Sequence, residues 1–477
     1  MSLLASLLLK ASVGLGSHSG KGVPPMHGDF EAQRHWIELT SALPWAEWYR
    51  YDLEYWGLDY PPLTAFHSRL IGFLCPESVR EQFFGLDTSR GVETPGLVLF
   101  MRQTALITDL VVYTTACLLF TRAFARKDTL INDLLLLCLP ALVIIDHGHF
   151  QYNSAMLGLV LYAIILIRMG RFVLASVAFS LALLFKQMAL YYALPIFCIL
   201  LSVCLERSSF SLFAKLGAAV ISVFAALLSP WYADLWQVLH RVFPVARGLF
   251  EDKVANFWCV SNLFVKWRTV ADPGTLLYVS LGLTVLAILP ACLLLLFPSR
   301  RHGMKSWREK CRGDSFLLAL TISSLGFFLF SFQVHEKSIL LPLLPATLLM
   351  ATSRDGWTVT AGAVFNNMGM FTIYPLLLKD GLVLQYFCVM VMFNGLVLPR
   401  VHGISPAGVR LLYADAAVLL AYHVIETYVT APARYPDLWV VGNCVIGAAH
   451  FGLLLLFYYF RLWKQGGEHL EGREKRD

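Results

Sequence analysis

Two polar stretches near the N-terminus carry the residue types that could do chemistry. HGDFEAQRHW (His27–Trp36) sets Asp29 and Glu31 among two histidines, an arginine and a tryptophan; YWGLDYPPLTAFHS (Tyr55–Ser68) sets Asp59 among Tyr55, Trp56, Tyr60 and two prolines. A carboxylate can take a proton from a hydroxyl, and aromatic faces can stack on sugar rings. An acid kept beside a bilayer among such groups is the layout that glycosyl transfer between lipid-linked partners needs. Asp29 precedes a run with helical character, so it serves as an N-cap, as a base, or as both, because a capping carboxylate keeps a lone pair. Gln33 and Trp36 would share its side of the helix. Glu31 would face Arg34 and His35 as an internal ion pair, which leaves Asp29 the freer acid. Asp59 either caps a helix that starts at Pro61-Pro62 or binds a sugar hydroxyl, with proline acceptable in the first turn. Tyr55, Trp56 and Tyr60 have an interfacial aromatic belt as their default role.

Three further joints are candidates. In DHGHFQYNS, His147 and His149 flank Gly148 beside Asp146 and Gln151. Packing by hydrogen bonds, substrate contact and metal binding are all open there, with packing the commonest. Arg241–Lys253 brings Arg241, Arg247 and Lys253 together with Glu251 and Asp252. Phe332–Lys337 places His335, Glu336 and Lys337 between two very apolar runs, where charge is costly and usually functional. An ion-paired loop and a phosphate site both fit; a leaving phosphate needs cations aimed at it, and His335, Lys337 and Arg247 could supply them. There is no P-loop, GxGxxG, HExxH or GxSxG in usable context, and Asp29-Phe30-Glu31 is a DxE rather than a DxD. No compulsory divalent ion is expected.

The elements that must hold these residues are membrane helices. Of 477 residues, 57% are hydrophobic and 15% charged, with a mean hydropathy of +0.62, whereas soluble domains carry roughly 25% charge. The net charge of +6 is too mild to suggest nucleic acid. The pattern predicts an all-α polytopic bundle of about 14 spans, each needing about 20 apolar residues. They are expected near 2–16, 98–121, 130–145, 153–168, 172–186, 188–205, 211–229, 274–297, 315–331, 338–352, 357–377, 381–398, 408–428 and 437–461. The first run lacks a basic lead-in and should stay as an anchor. Basic residues concentrate in Pro298–Gly313, Arg122–Asp128, Arg168–Arg171 and the tail, which places those joints in the cytosol. The opposite face then receives residues 17–97, Asp146–Tyr152, 230–273, Phe332–Lys337 and the turns near Lys379 and Tyr428. The chain reads as one membrane domain, 1–477, with 17–97 (catalytic) and 230–273 as helical caps and 464–477 as a disordered cytosolic tail. Ten scattered cysteines without CxxC read as small buried hydrophobes; only Cys75 and Cys259 fall in the non-cytosolic loops.

Six blocks in order, GDFEAQRHW, YWGLDYPPLTAFHS, DHGHFQYNS, KQMALYYALP, FPVARGLFEDKVANFWC and FSFQVHEKSILL, closely resemble those of the dolichyl-phosphate-glucose-dependent α-1,3-glucosyltransferases of the endoplasmic reticulum. That family adds the first glucose to the lipid-linked oligosaccharide of N-glycosylation. The resemblance covers about residues 26 to 341. It implies a GT-C fold with its active site in the lumen, a dolichyl phosphate glucose donor and a lipid-linked oligosaccharide acceptor. It further implies inverting, metal-independent transfer. It assigns the general base to Asp29 and a donor-phosphate role to His335, then to Lys337 and Arg247. Glu31, Trp56, Asp59, Tyr60, His149 and Gln151 complete the expected substrate-binding set. Asp29 lies closer to Met1 than the family pattern implies, consistent with a truncated start or a shallow first helix. The sister enzyme that adds the next glucose would differ around the acceptor; the Trp56-Gly57-Leu58 lead-in and the intact EAQRHW favour the first. A transporter or scramblase is disfavoured by the lack of internal repeats.

Overall fold

The computed structural model describes residues 1–125, 129–243, 253–297, 306–403 and 405–474. Among them no strand occurs, and each of the fourteen expected runs becomes a helix. Eight are long and apolar enough to cross a membrane: Pro95–Phe124, Gln187–Glu206, Phe210–Val242, Pro273–Leu296, Gly356–Lys379, Val383–His402, Pro406–Tyr428 and Leu438–Lys464. Thr129–Leu137 and Pro140–Phe150 make a ninth as a pair bent by 41°, broken where Pro140 has no N–H to continue the ladder. The remaining runs are shorter than the length assumed for a full span: Ser2–Val13, Asn153–Arg168, Phe172–Phe185, Ser315–Phe330 and Leu340–Thr352.

Two boundaries differ from expectation. At the polar Asp146–Tyr152 joint, helix continues past the expected end at 145 through a π-helical segment, Val143–Phe150, whose residues are all buried, and leaves only Gln151 and Tyr152 between the two helices. Of the tail expected to be disordered, Lys464–Asp477, the part up to Glu474 continues the last helix, Leu438–Glu474, and residues 475–477 lie outside the described residues. All ten cysteines are free, and all but Cys259 and Cys388 are buried.

The main core runs through the bundle from Val13 to Leu462. At Gly158 a Cβ would lie 2.8 Å from the Tyr113 backbone, so only glycine lets the Asn153–Arg168 and Pro95–Phe124 helices approach this closely. The short first helix docks through a buried charge. Lys10 Nζ lies 2.6 Å from Asp109, and His147 Nε2 lies 3.2 Å from the other oxygen of Asp109. Such a group survives among apolar helices only when paired.

A second core joins the two loops expected to form caps. Trp36, Trp48, Tyr49 and Leu58 from the first pack on Trp231, Val238 and Val242 from the second. Trp231 Nε1 donates to the Trp45 carbonyl at 2.6 Å, and Arg241 donates to the carbonyls of Gly57 (2.8 Å) and Leu58 (3.2 Å). Arg241, at the start of the basic Arg241–Lys253 joint, thus straps the Tyr55–Tyr60 segment in place. The polar joints that charge bias assigned to one face do meet in space, and the site lies among them.

Candidate active site

Asp29 is the first residue of the Asp29–Ala42 helix, whose N-cap is Gly28. Its side chain makes no capping bond, so the N-cap reading does not hold. Instead its backbone N–H donates to Ser19 Oγ at 2.9 Å, while the Ser19 N–H donates to the His149 carbonyl at 3.0 Å. Ser19 therefore ties the start of this helix to the end of the bent membrane helix.

Three donors converge on one oxygen of Asp29. Lys337 Nζ lies 2.5 Å from Oδ2, His149 Nε2 lies 3.0 Å from it, and Gln151 Nε2 also donates to it. The other oxygen, Oδ1, has no partner among the described residues, and the carboxylate is 23% exposed. Asp29 is therefore not the unengaged acid that local spacing suggested; one oxygen is saturated and the other is open. Burial pushes the carboxyl up, but the Lys337 ammonium and the His149 imidazole override it and hold the group well below the usual carboxylate range. Asp29 is ionised at neutral pH.

His149 and Gln151 are two residues apart, a spacing that splays side chains on a regular helix. The π-helical turn and Phe150, with φ of 90°, bring both onto Asp29. A bulky residue at positive φ is strained and persists only where packing fixes it. The Phe150 ring is fully buried, 5.0 Å from Phe30 and 5.4 Å from Tyr152.

Behind Gln151 stands Lys186, a residue sequence reasoning passed over. It donates to Gln151 Oε1 (2.9 Å) and Asn153 Oδ1 (2.6 Å), which orients the Gln151 amide with its NH2 toward Asp29. Its ammonium also lies 4.7 Å from the Tyr60 ring centroid, and Asp59 is within its electrostatic reach. Tyr60 packs 4.7 Å from Trp36, Gln187 donates to the Asp59 carbonyl at 3.3 Å, and Trp56 donates to the Met26 carbonyl at 2.6 Å. Asp59 does not cap the following helix, Pro62–Leu74, whose N-cap is Pro61. Asp380 is a second omission: its Oδ2 lies 2.5 Å from His149 Nδ1. The only hint was an acid in a short turn on the same expected face.

The other candidates fall outside this cluster or at its edge. Glu31 is buried with both oxygens committed to Arg34 (2.6 and 2.7 Å) and one also to Tyr55 (3.0 Å). It is a structural ion pair and not an open substrate contact. His35, expected beside Glu31, pairs with Glu38 at 3.2 Å. His335 is half-buried and leads into the Glu336–Ile339 turn that carries Lys337. Arg247 lies outside the described residues. Among those residues no group of three or more His, Cys, Asp or Glu is arranged to hold a metal ion.

Full-length comparison decides the family. The model of the ALG6, ALG8 glycosyltransferase family matches residues 6–458. The chain belongs to that family. A Saccharomyces cerevisiae protein named dolichyl pyrophosphate Man9GlcNAc2 alpha-1,3-glucosyltransferase is 40% identical, over 98% of this chain and 92% of its own length. A Schizosaccharomyces pombe relative named as a probable enzyme of the same kind is 42% identical over 96% and 90%, and the Gallus gallus protein is 37% identical over 96% and 95%. This glycosyltransferase is accordingly an enzyme, and its all-helical polytopic architecture is the one expected of a GT-C bundle. The match extends well past residue 341, where the motif blocks ended.

Proposed function

We propose that this glycosyltransferase moves glucose from dolichyl phosphate glucose to the terminal mannose of Man9GlcNAc2-diphosphate-dolichol, with inversion, at the lumenal face of the endoplasmic reticulum membrane. The relatives' names support the acceptor and the linkage. The observation that carries the mechanism is the asymmetry of Asp29: Oδ2 saturated by three donors, Oδ1 open.

In this mechanism the mannose 3-hydroxyl meets Asp29 Oδ1. As its oxygen bonds to the anomeric carbon of the β-linked glucosyl phosphate, Oδ1 takes the hydroxyl proton, and the bond to the phosphate oxygen breaks on the opposite face. The phosphate leaves with the electron pair, and the product linkage is α-1,3. A transition state with oxocarbenium character makes the attacking hydroxyl acidic late in the step, so an ionised carboxylate suffices even with its basicity lowered. Lys337 bridges Asp29 Oδ2 to the departing phosphate, with His335 beside it, offsetting charge as it develops. Tyr60, Trp56 and Asp59 face the sugars. Holding both lipid carriers in one site makes the step effectively unimolecular.

The reaction runs without a divalent ion in this proposal. The Lys337 ammonium already sets a positive charge 2.5 Å from Asp29 Oδ2, and both His149 nitrogens lie against carboxylates. The test is transfer in purified protein, in the presence and absence of a chelator, from dolichyl phosphate glucose to the nine-mannose acceptor. The expected product carries one added hexose in α-1,3 linkage at an unchanged rate with chelator. Asp29→Asn should abolish turnover and leave the protein folded; a turning-over Asp29→Asn enzyme removes Asp29 from the base role.

A further inference from the structure

We propose that Asp380 is a positioning residue for Asp29, acting through His149; the inference rests on Asp29 as the base. The geometry is a line of three groups from three distant parts of the chain. Asp29 Oδ2 lies 3.0 Å from His149 Nε2, and His149 Nδ1 lies 2.5 Å from Asp380 Oδ2. An ionised carboxylate only accepts, and a neutral imidazole has one N–H and one lone pair. A neutral ring between two carboxylates would set lone pair against lone pair at one contact. Both short contacts are satisfied when each ring nitrogen carries a proton. Asp380 therefore keeps His149 a double donor and fixes its plane, so that Asp29 Oδ2 receives a charge-assisted bond.

The support is rigid at each end. Asp380 closes the Gly356–Lys379 helix, where its N–H donates to the Leu376 carbonyl at 3.2 Å and the Leu382 N–H donates to the Leu377 carbonyl at 2.9 Å around Gly381, φ 72°. The side chains of His149 and Asp380 are 2% and 6% exposed. The charged groups facing the ring are Asp29, Lys337 (3.4 Å from Nε2) and Asp380, with Arg102 within reach of Asp380 from the Pro95–Phe124 helix. None of the other three can hold Nδ1. The His149 bond joins those from Lys337 and Gln151 in fixing Oδ2, and in the proposed reaction this keeps Oδ1 turned to the acceptor. Asp380 touches no substrate in this arrangement. It sets the aim of the group that does.

A double-mutant cycle on the full-length enzyme tests this. Asp380→Asn removes the charge that demands the second ring proton and should lower kcat on the order of 100-fold, the scale of a small misplacement of a reacting group. KM for both lipids should stay near wild type, with kcat read on the folded fraction, since removing the charge from a buried pair also lowers stability. In the His149→Gln background, Asp380→Asn should change kcat less than twofold, because the path it acts through is gone. Asp380→Glu keeps the charge and should recover kcat to within a few-fold; it also carries the cycle should Asp380→Asn not accumulate. Unchanged kcat in Asp380→Asn, an equal loss in both backgrounds, or a loss that appears in KM rather than in kcat would each overturn the role of Asp380. An inactive Asp29→Asn beside an unaffected Asp380→Asn would sink this inference alone, whereas an active Asp29→Asn would sink the base assignment beneath it.

Discussion

One helix, Asp29–Ala42, carries two carboxylate clusters that differ in how many of their oxygens are engaged. Glu31 and Glu38 flank Arg34, and every oxygen is engaged. Glu31 is held by Arg34 and Tyr55; Glu38 is held by Arg34 (2.6 Å), His35 (3.2 Å), Ser89 (3.3 Å) and the Asp87 N–H (2.8 Å). Asp29, at the helix start, is held as tightly on one oxygen and not at all on the other among the described residues. Full saturation makes a carboxylate part of the scaffold. Half saturation makes an ionised, oriented acceptor with a place for an incoming proton. Both clusters contain strongly held acids, so ion pairing does not separate structure from chemistry here; the vacant oxygen does.

The sharpest way to break this contrast is Asp29→Asn, expected to remove turnover while the fold survives. Lys337→Met comes next. It deletes the ammonium at Oδ2 and should cut kcat/KM for the donor on the order of 100-fold, the scale of losing one donor aimed at developing charge. The same substitution has a pH signature. Lys337 holds the Asp29 carboxyl down, so its loss raises that group, and the acid-side fall of kcat/KM should move to higher pH. A profile that does not move would mean Lys337 does not set the ionisation of Asp29.

The parts of this arrangement that local spacing controls were legible in the sequence. Glu31 and Arg34 are three apart on a helix, and they pair as read. The helix Asn153–Arg168 coincides with the apolar run between two polar joints. The gathering of the polar joints on one face followed from where the basic residues lie. What could not be read was contact order. The partners of Asp29 are 120, 122 and 308 residues away, so the acid that looked freest by local pattern is among the most engaged. The polarity of Asp146–Tyr152 predicts a joint between spans; helix instead runs on to Phe150, and the polar side chains of the segment are satisfied by Asp109, Asp380, Asn153 and Lys186. Lys186 and Asp380 were overlooked because one ends an apolar run and the other sits in a short turn, and neither position has a local partner to reveal its use.

The saturated cluster should fail by unfolding. Burial pushes Glu38 up, and His35, Arg34 and the Asp87 N–H override it, bringing the group from its ordinary 4.5 down to about 2. A group lowered on folding stabilises the protein above its unfolded value and loses that contribution as pH falls through the folded one. The contribution is therefore full at neutral pH and declines between about 4.5 and about 2. Glu38→Gln should cost about 3 kcal/mol, the scale for breaking a buried pair, seen as a lower melting temperature at pH 7 with the kcat of the folded fraction retained. A drop in kcat without loss of stability would put Glu38 in the catalytic group and erase the contrast.

The smallest effect is expected from an ion pair of the same length in a different setting. Arg50 Nε lies 2.6 Å from Asp234, as Arg34 Nη2 does from Glu38, yet the Arg50 and Asp234 side chains are 61% and 32% exposed against 0% for both members of the buried pair. Water screens the exposed charges and solvates either one alone, so little is lost when one is removed. The cap loops that this pair links are already joined by Trp48, Trp231 and the Arg241 strap. Arg50→Gln should leave the melting temperature and kcat unchanged within error, in low salt as in high. If it instead loosens the caps, measured as faster proteolysis between residues 43 and 60, then distance would outweigh burial in holding the two loops together.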